Sequence, residues 1–140
     1  MIALIVATHG EFSREIVKSA EMIFGKQDNL ETITFLPGEG IEELKEKYLL
    51  AMKHLDTSKG VLFMTDLFGG SPFNVAASVV LDHEEMEVIT GTNLPMLVEC
   101  FARRRTDDLK TLVPAISQTA IEGVKTLSGS LSLNEEEGDL

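Results

Sequence analysis

Two uninterrupted apolar runs limit what this chain can fold into more than any other feature. Ile2-Ala3-Leu4-Ile5-Val6-Ala7 and Gly60-Val61-Leu62-Phe63-Met64 offer no polar side chain to place on a wet face. A strand sends alternate side chains to opposite faces of its sheet, so it stays wholly apolar only where both faces are covered. That is the position of a central, parallel strand flanked by helices. Each run is too short to span a membrane, and only Met1 precedes the first, without the basic flank of a signal segment. Leu30–Leu36 and Met86–Thr90, with Glu87-Val88-Ile89 at its heart, are more mixed and suit the flanking positions of the same sheet.

Helical spacing occupies the intervals. Ile16, Val17, Ala20, Ile23 and Phe24 share one helix face, and Ile41, Leu44, Tyr48, Ala51, Met52 and Leu55 share another. Ser71-Pro72 marks a third helix, with the hydroxyl residue as its cap and proline at the first helical position, running to about Leu81. A fourth begins near Asn93-Leu94-Pro95 and ends at Arg103-Arg104-Arg105, whose charges complement the helix dipole and need no ligand to explain them. Thr106-Asp107-Asp108 caps a fifth, in which Pro114 is expected to force a kink or a division into two shorter pieces. The alternation predicts an α/β fold: a single-domain, open, doubly wound sheet of four parallel strands in order 2-1-3-4, with helices on both faces. The domain is expected over residues 1–127. Residues 128–140, from Ser128-Gly129-Ser130 to Asn134-Glu135-Glu136-Glu137-Gly138-Asp139-Leu140, read as an acidic, flexible tail.

Length and charge narrow the function classes. A chain of 140 residues fits one domain with one full core. With 23 acidic against 12 basic residues and a formal charge of −11, counterion release from nucleic acid or an anionic membrane cannot drive binding, whereas a basic protein partner is favoured. The single cysteine, Cys100, excludes an intramolecular disulfide and a Cys-rich metal site, and points to a reducing, cytoplasmic setting. Its simplest place is the core.

In the order 2-1-3-4 the chain reverses direction between strands one and three, and ligands bind beyond the carboxyl ends of strands at such a switch point. The residues leaving those strands are Ala7-Thr8-His9-Gly10 and Thr65-Asp66-Leu67-Phe68-Gly69-Gly70-Ser71-Pro72-Phe73-Asn74. An imidazole is a phosphoryl nucleophile when one ring nitrogen is unprotonated, and a carboxylate on the other nitrogen holds that tautomer, so His9 and Asp66 are the candidate catalytic pair. Gly10, Gly69 and Gly70 permit close backbone approach, and the helix start at Ser71 offers N–H groups, making these four the candidate phosphoryl-binding positions. The arrangement requires no cofactor and no metal. Ser71 is explained as well by capping alone, and Asp66 by a turn. His54 and His83 read as surface residues. Phe12, Phe68, Pro95 and Met96 read as core packing or as apolar groups offered to a docking partner.

Thr8-His9-Gly10, Phe35-Leu36-Pro37-Gly38-Glu39, Asp66 through Gly69-Gly70-Ser71-Pro72-Phe73-Asn74, and Asn93-Leu94-Pro95-Met96-Leu97 together resemble the enzyme IIA component of the mannose/fructose/sorbose phosphotransferase family, up to about Leu127. The resemblance implies a phosphotransferase that accepts a phosphoryl group from the phosphocarrier HPr on His9, through Nε2, and donates it to an enzyme IIB partner. It touches the membrane only through the sugar permease complex. It also implies a homodimer that exchanges a fifth, antiparallel edge strand at Gly123-Val124-Lys125-Thr126-Leu127, a segment whose own pattern continues the fifth helix. Two departures stand out: Leu67 where some members carry a hydroxyl residue, and Phe68 where some carry an indole. Some members continue into a fused IIB domain, so a chain stopping here reads as a free-standing subunit. Two alternatives remain: a phosphotransfer subunit of a dihydroxyacetone kinase, and a small flavodoxin-like ligand-binding module. Against the latter, neither G-x-G-x-x-G nor G-x-x-x-x-G-K-[ST] follows a strand.

Overall fold

The computed structural model describes residues 1–131. Its elements follow in the order β1 (Ala3–His9), α1 (Phe12–Phe24), β2 (Leu30–Phe35), α2 (Ile41–His54), β3 (Val61–Thr65), α3 (Ser71–Val80), β4 (Met86–Ile89), α4 (Leu94–Arg103) and α5 (Leu109–Glu122). The four strands are parallel in the order β2-β1-β3-β4. The apolar runs are the two central strands, paired Ala3 to Val61 through Ala7 to Thr65.

Alternation divides their side chains between two cores. Leu4, Val6, Leu62 and Met64 pack with Ile16, Val17 and Ala20 of α1, Leu97 and Phe101 of α4, and Leu112 and Ile116 of α5. Ala3, Ile5, Val61 and Phe63 pack on the other face with Leu44, Tyr48 and Ala51 of α2 and Val75 and Ala76 of α3. Each large side chain buried this way contributes roughly 1.5–3 kcal/mol, so losing either helix layer would strand half of each central strand in water. The Tyr48 ring meets Phe63 edge-on at 5.2 Å, and its hydroxyl donates to the Pro72 carbonyl at 2.8 Å. Burial raises the Tyr48 phenol well above its usual range.

The structure corrects four expectations. Arg104 is no helix-end cation in solvent: it is fully buried, and its guanidinium donates to the carbonyls of Ile2 and Asn29, at 3.3 and 3.0 Å, and to that of Asp28. Those carbonyls belong to chain ends where β1 and β2 begin, and the rigid five-donor fork can serve several at once. Arg103, by contrast, pairs with Asp107 at 2.7 Å. Pro114 lies inside a continuous α5 rather than dividing it. It deprives only the carbonyl of exposed Lys110 of a helical partner, while Leu112, Ile116 and Ala120 are held in the core on either side. Gly70, not Ser71, is the N-cap of α3, which moves proline to the second helical position. Finally, α5 ends at Glu122 rather than continuing; Gly123 is its C-cap, where a side chain would meet Pro95 Cγ at 2.8 Å.

Residues 123–126 form no strand within the chain, and Val124 is exposed; 127–131 form a further helical turn where the tail was expected to begin. The remainder of the expected tail, 132–140, lies outside the described residues.

Two outcomes are expected from this packing. Arg104→Ala leaves three main-chain acceptors and a cavity behind, and urea unfolding should show a loss on the order of 3 kcal/mol or more, which Arg104→Lys restores only in part. Cys100 is fully buried, and burial pushes its thiol up to about 12 against the pull of neighbouring Arg104. A thiol reagent at pH 8 should therefore leave the native protein unlabelled and react only when denaturant is added.

Candidate functional site

The register that pairs Ala7 with Thr65 sets the next residues of β1 and β3 side by side. His9 ends β1 and Asp66 follows β3 directly. Their side chains meet, His9 Nδ1 to Asp66 Oδ2, at 2.9 Å, and the His9 main-chain N–H donates to the same oxygen at 3.1 Å. An ionised carboxylate only accepts, so in the neutral imidazole Nδ1 carries the proton and Nε2 keeps its lone pair. The His9 side chain is 46% exposed and that of Asp66 18%, so the ring reaches solvent while its anchor is largely covered. Asp66 Oδ1 is buried without a hydrogen-bond donor from the described residues.

The glycines shape the space around the ring. A Cβ on Gly70 would lie 2.7 Å from His9 Cε1 and 3.3 Å from Nε2, so the start of α3 abuts the outward nitrogen and no larger residue fits unless the ring moves. Gly10 and Gly69 have φ of +59° and +83°, where side chains are disfavoured. Their neighbours account for most of the local amides: Gly10 N–H donates to Phe35 O at 2.8 Å, Gly70 N–H to Leu67 O at 3.1 Å, and Asn74 N–H to Gly70 O at 2.9 Å. The Gly10 and Gly70 amides are thus committed within the protein, and these glycines contribute shape. Ser71, released from capping, stands in the first turn of α3 where amides point out of the helix.

Sequence reasoning gave no role to several residues that build this end of the sheet. Thr8 is fully buried; its hydroxyl accepts from Ser13 N–H at 2.7 Å and donates to His9 O at 3.0 Å, capping α1 in place of Glu11, whose side chain makes no cap bond. Thr92 donates to Thr65 O from both its hydroxyl, at 2.7 Å, and its N–H, at 3.1 Å, fixing the peptide that precedes Asp66. A threonine at the end of an otherwise apolar strand is the available signal for the first; nothing local marks the second, because Thr92 and Thr65 lie far apart in sequence.

The other histidines stay away from the site. His54 is exposed, 3.8 Å from Glu31, and the His83 ring is exposed beside Val79 O at 3.1 Å. Met96 is core, whereas Phe12, Leu67 and Phe68 are exposed on the segments leaving β1 and β3. Among the described residues no group of three or more His, Cys, Asp or Glu converges as metal ligands would.

Residues 3–117 match the family described as "PTS system fructose IIA component". The chain belongs to this enzyme IIA family of the sugar phosphotransferase system. Members of the family pass phosphoryl groups from protein to protein. The chain is 48% identical over 127 residues to the "PTS system mannose-specific EIIAB component" of Escherichia coli K12, covering 90% of this chain but 39% of that relative. It is 40% identical over 125 residues to the "PTS system fructose-specific EIIA component" of Bacillus subtilis, covering 87% of this chain and 86% of the relative. Among solved structures, the phosphotransferase system component EIIA from Streptococcus agalactiae superposes with a TM-score of 0.83 at 30% identity, over 91% of this chain and 98% of the other. These matches favour neither the dihydroxyacetone kinase subunit nor the flavodoxin-like module.

The tight approach of Gly70 to the imidazole leads to a specific outcome. Gly70→Ala should displace the ring and weaken its bond to Asp66 without unfolding the protein. Nitrogen-edited NMR spectra of the His9 side chain, compared with thermal unfolding of the same sample, check this.

Proposed function

We propose that this chain is a cytoplasmic histidine phosphocarrier of a sugar-uptake phosphotransferase system, accepting a phosphoryl group from phospho-HPr on His9 and donating it to an enzyme IIB. The observation that carries the reading is the 2.9 Å contact between His9 Nδ1 and Asp66 Oδ2, which in the neutral ring assigns the proton to Nδ1 and the lone pair to Nε2, beside the start of α3.

Transfer follows from this geometry. The Nε2 lone pair attacks phosphorus in line with the phosphorus–nitrogen bond of the donor's phosphohistidine. As the new bond forms, the donor bond breaks and its electron pair returns to the donor ring. Positive charge grows on the His9 ring while Nδ1 keeps its proton, and Asp66 stabilises that charge without accepting the proton. The helix start at Gly70-Ser71 would face the negative phosphoryl oxygens. A loose, in-line transfer of this kind asks the protein mainly for position and charge, and nearly half of the ring is open to the incoming partner. Donation to enzyme IIB is the same step reversed. The acidic chain suits basic partners.

We further propose a homodimer in which 123–127 pairs as an edge strand with a second copy. Val124 and Leu127 are 84% and 77% exposed in the single chain, and 123–126 pair with no strand among the described residues, so the exchange would require Leu127 to leave the helical turn it opens. No helix among the described residues is long and apolar enough to cross a membrane.

Incubation with phosphoenolpyruvate, its upstream kinase and HPr should add one phosphoryl mass that is acid-labile and base-stable, and His9→Ala should abolish it; an undiminished label in that variant would overturn the reading. Asp66→Asn should slow transfer on the order of 10²-fold while thermal unfolding stays near wild type, since the amide oxygen can still accept from the His9 main-chain N–H. Full-speed transfer in Asp66→Asn would remove the orienting role from Asp66.

A further inference from the structure

His9 is braced from two sides, and only one of them belongs to the pair already described. On the β3 side stand Asp66 and Gly70. On the β2 side stands Phe35, the last residue of β2, opposite His9 in the strand register. Its carbonyl accepts from Gly10 N–H at 2.8 Å, and its ring meets the imidazole edge-on, with centroids 6.0 Å apart and planes at 75°. Yet β2 is an edge strand, paired to β1 alone. An edge-strand end has no second neighbour to hold it and is prone to fray.

Glu39 and Lys47 supply the missing support. After Phe35 the chain turns through Leu36-Pro37-Gly38-Glu39, with Gly38 at φ +88° and Glu39 N–H donating to Leu36 O at 3.1 Å. The Glu39 side chain then folds back: Oε1 accepts from Leu36 N–H at 2.6 Å and Oε2 meets Lys47 Nζ at 2.7 Å. Lys47, on α2, also donates to Thr34 O at 2.8 Å. The two side chains therefore hold the main-chain groups on either side of Phe35 and tie both to α2, whose next residue, Tyr48, is fully buried. Both are partly covered, with Glu39 at 18% and Lys47 at 34% exposure, which favours a persistent pair over a frayed surface contact. The Lys47 ammonium and the Leu36 amide hold the Glu39 carboxyl below its ordinary range.

We propose that Glu39 and Lys47 act as a pair of positioning residues for phosphoryl transfer, clamping the end of β2 so that Phe35 holds the His9 ring in its transfer geometry. The proposal rests on the phosphocarrier reading for its kinetic consequence and on geometry alone for its structural one. Neither residue needs to touch the phosphoryl group. The clamp limits rotation of a ring that Asp66 fastens at one nitrogen only, and misplacement by a fraction of an ångström is costly in an in-line transfer.

The test compares Lys47→Met, Lys47→Arg, Glu39→Gln and the Glu39→Gln/Lys47→Met double variant. It uses transfer kinetics from phospho-HPr, thermal unfolding, and nitrogen-edited NMR of the His9 ring in the unphosphorylated protein. Lys47→Met should lower kcat about tenfold with KM for phospho-HPr within about twofold, and should broaden or shift the His9 ring signals while the fold persists. Lys47→Arg should restore both, and the double variant should be no slower than the slower single one, because the two residues form one device. Unchanged kcat and ring signals in Lys47→Met would overturn the proposal, as would a change confined to KM, which would place Lys47 in partner docking. If Lys47→Met does not fold, Glu39→Gln, which keeps an acceptor for Leu36 N–H, decides by the same measures. A wild-type protein that takes no phosphoryl group sinks the phosphocarrier reading instead, and the His9 ring signals of the variants still decide whether the clamp exists.

Discussion

Burial of β1 and β3 on both faces is the constraint from which the other features follow. Neither run can face water on any side, so each must lie inside the sheet with helices above and below. Chain reversal between them opens the sheet at one place, and the carboxyl end of each central strand delivers its polar residues there. His9 and Asp66 are neighbours because Ala7 and Thr65 are neighbours, in the register that fills both cores. The site is thus a by-product of core packing in its location, though not in its chemistry.

The two ends of the sheet are finished by opposite means. Where the strands begin, a buried guanidinium gathers main-chain carbonyls from the chain entering β1 and β2 and closes that end with a group that cannot exchange protons or move without cost. Where the strands end, threonine hydroxyls at positions 8 and 92 satisfy carbonyls one by one, and three glycines keep the surface low around a half-exposed imidazole. A closed anchor below and an open rim above leave the imidazole reachable on a stiff frame.

That frame is asymmetric about His9. The β3 side is interior, held by β4 and α3, and needs little further support. The β2 side is an edge, and there the Glu39–Lys47 pair supplies partners for the Leu36 N–H and the Thr34 carbonyl. Sheet edges are places where proteins often put lysine to discourage unwanted pairing, and here one lysine serves that end and also fixes a carbonyl next to Phe35.

Much of this was legible in the residues themselves. Continuous apolar runs identify central strands, helical spacing identifies the layers, and together they determine the strand order, the switch point and the proximity of His9 and Asp66, since each rests on periodicity or on adjacency that periodicity enforces. Tertiary structure decided the rest. Arg104 could be a helix-end charge or a buried tie, depending on carbonyls distant in sequence; Pro114 could break α5 or ride within it, depending on the core contacts around it. Gly70 rather than Ser71 caps α3, and position 70 is glycine because the His9 ring occupies the space a side chain would need. Hydrogen bonds such as Thr92 to Thr65 and Lys47 to Thr34 join segments whose spacing carries no pattern, because they depend on where the fold brings chain ends together and not on the order in which residues occur.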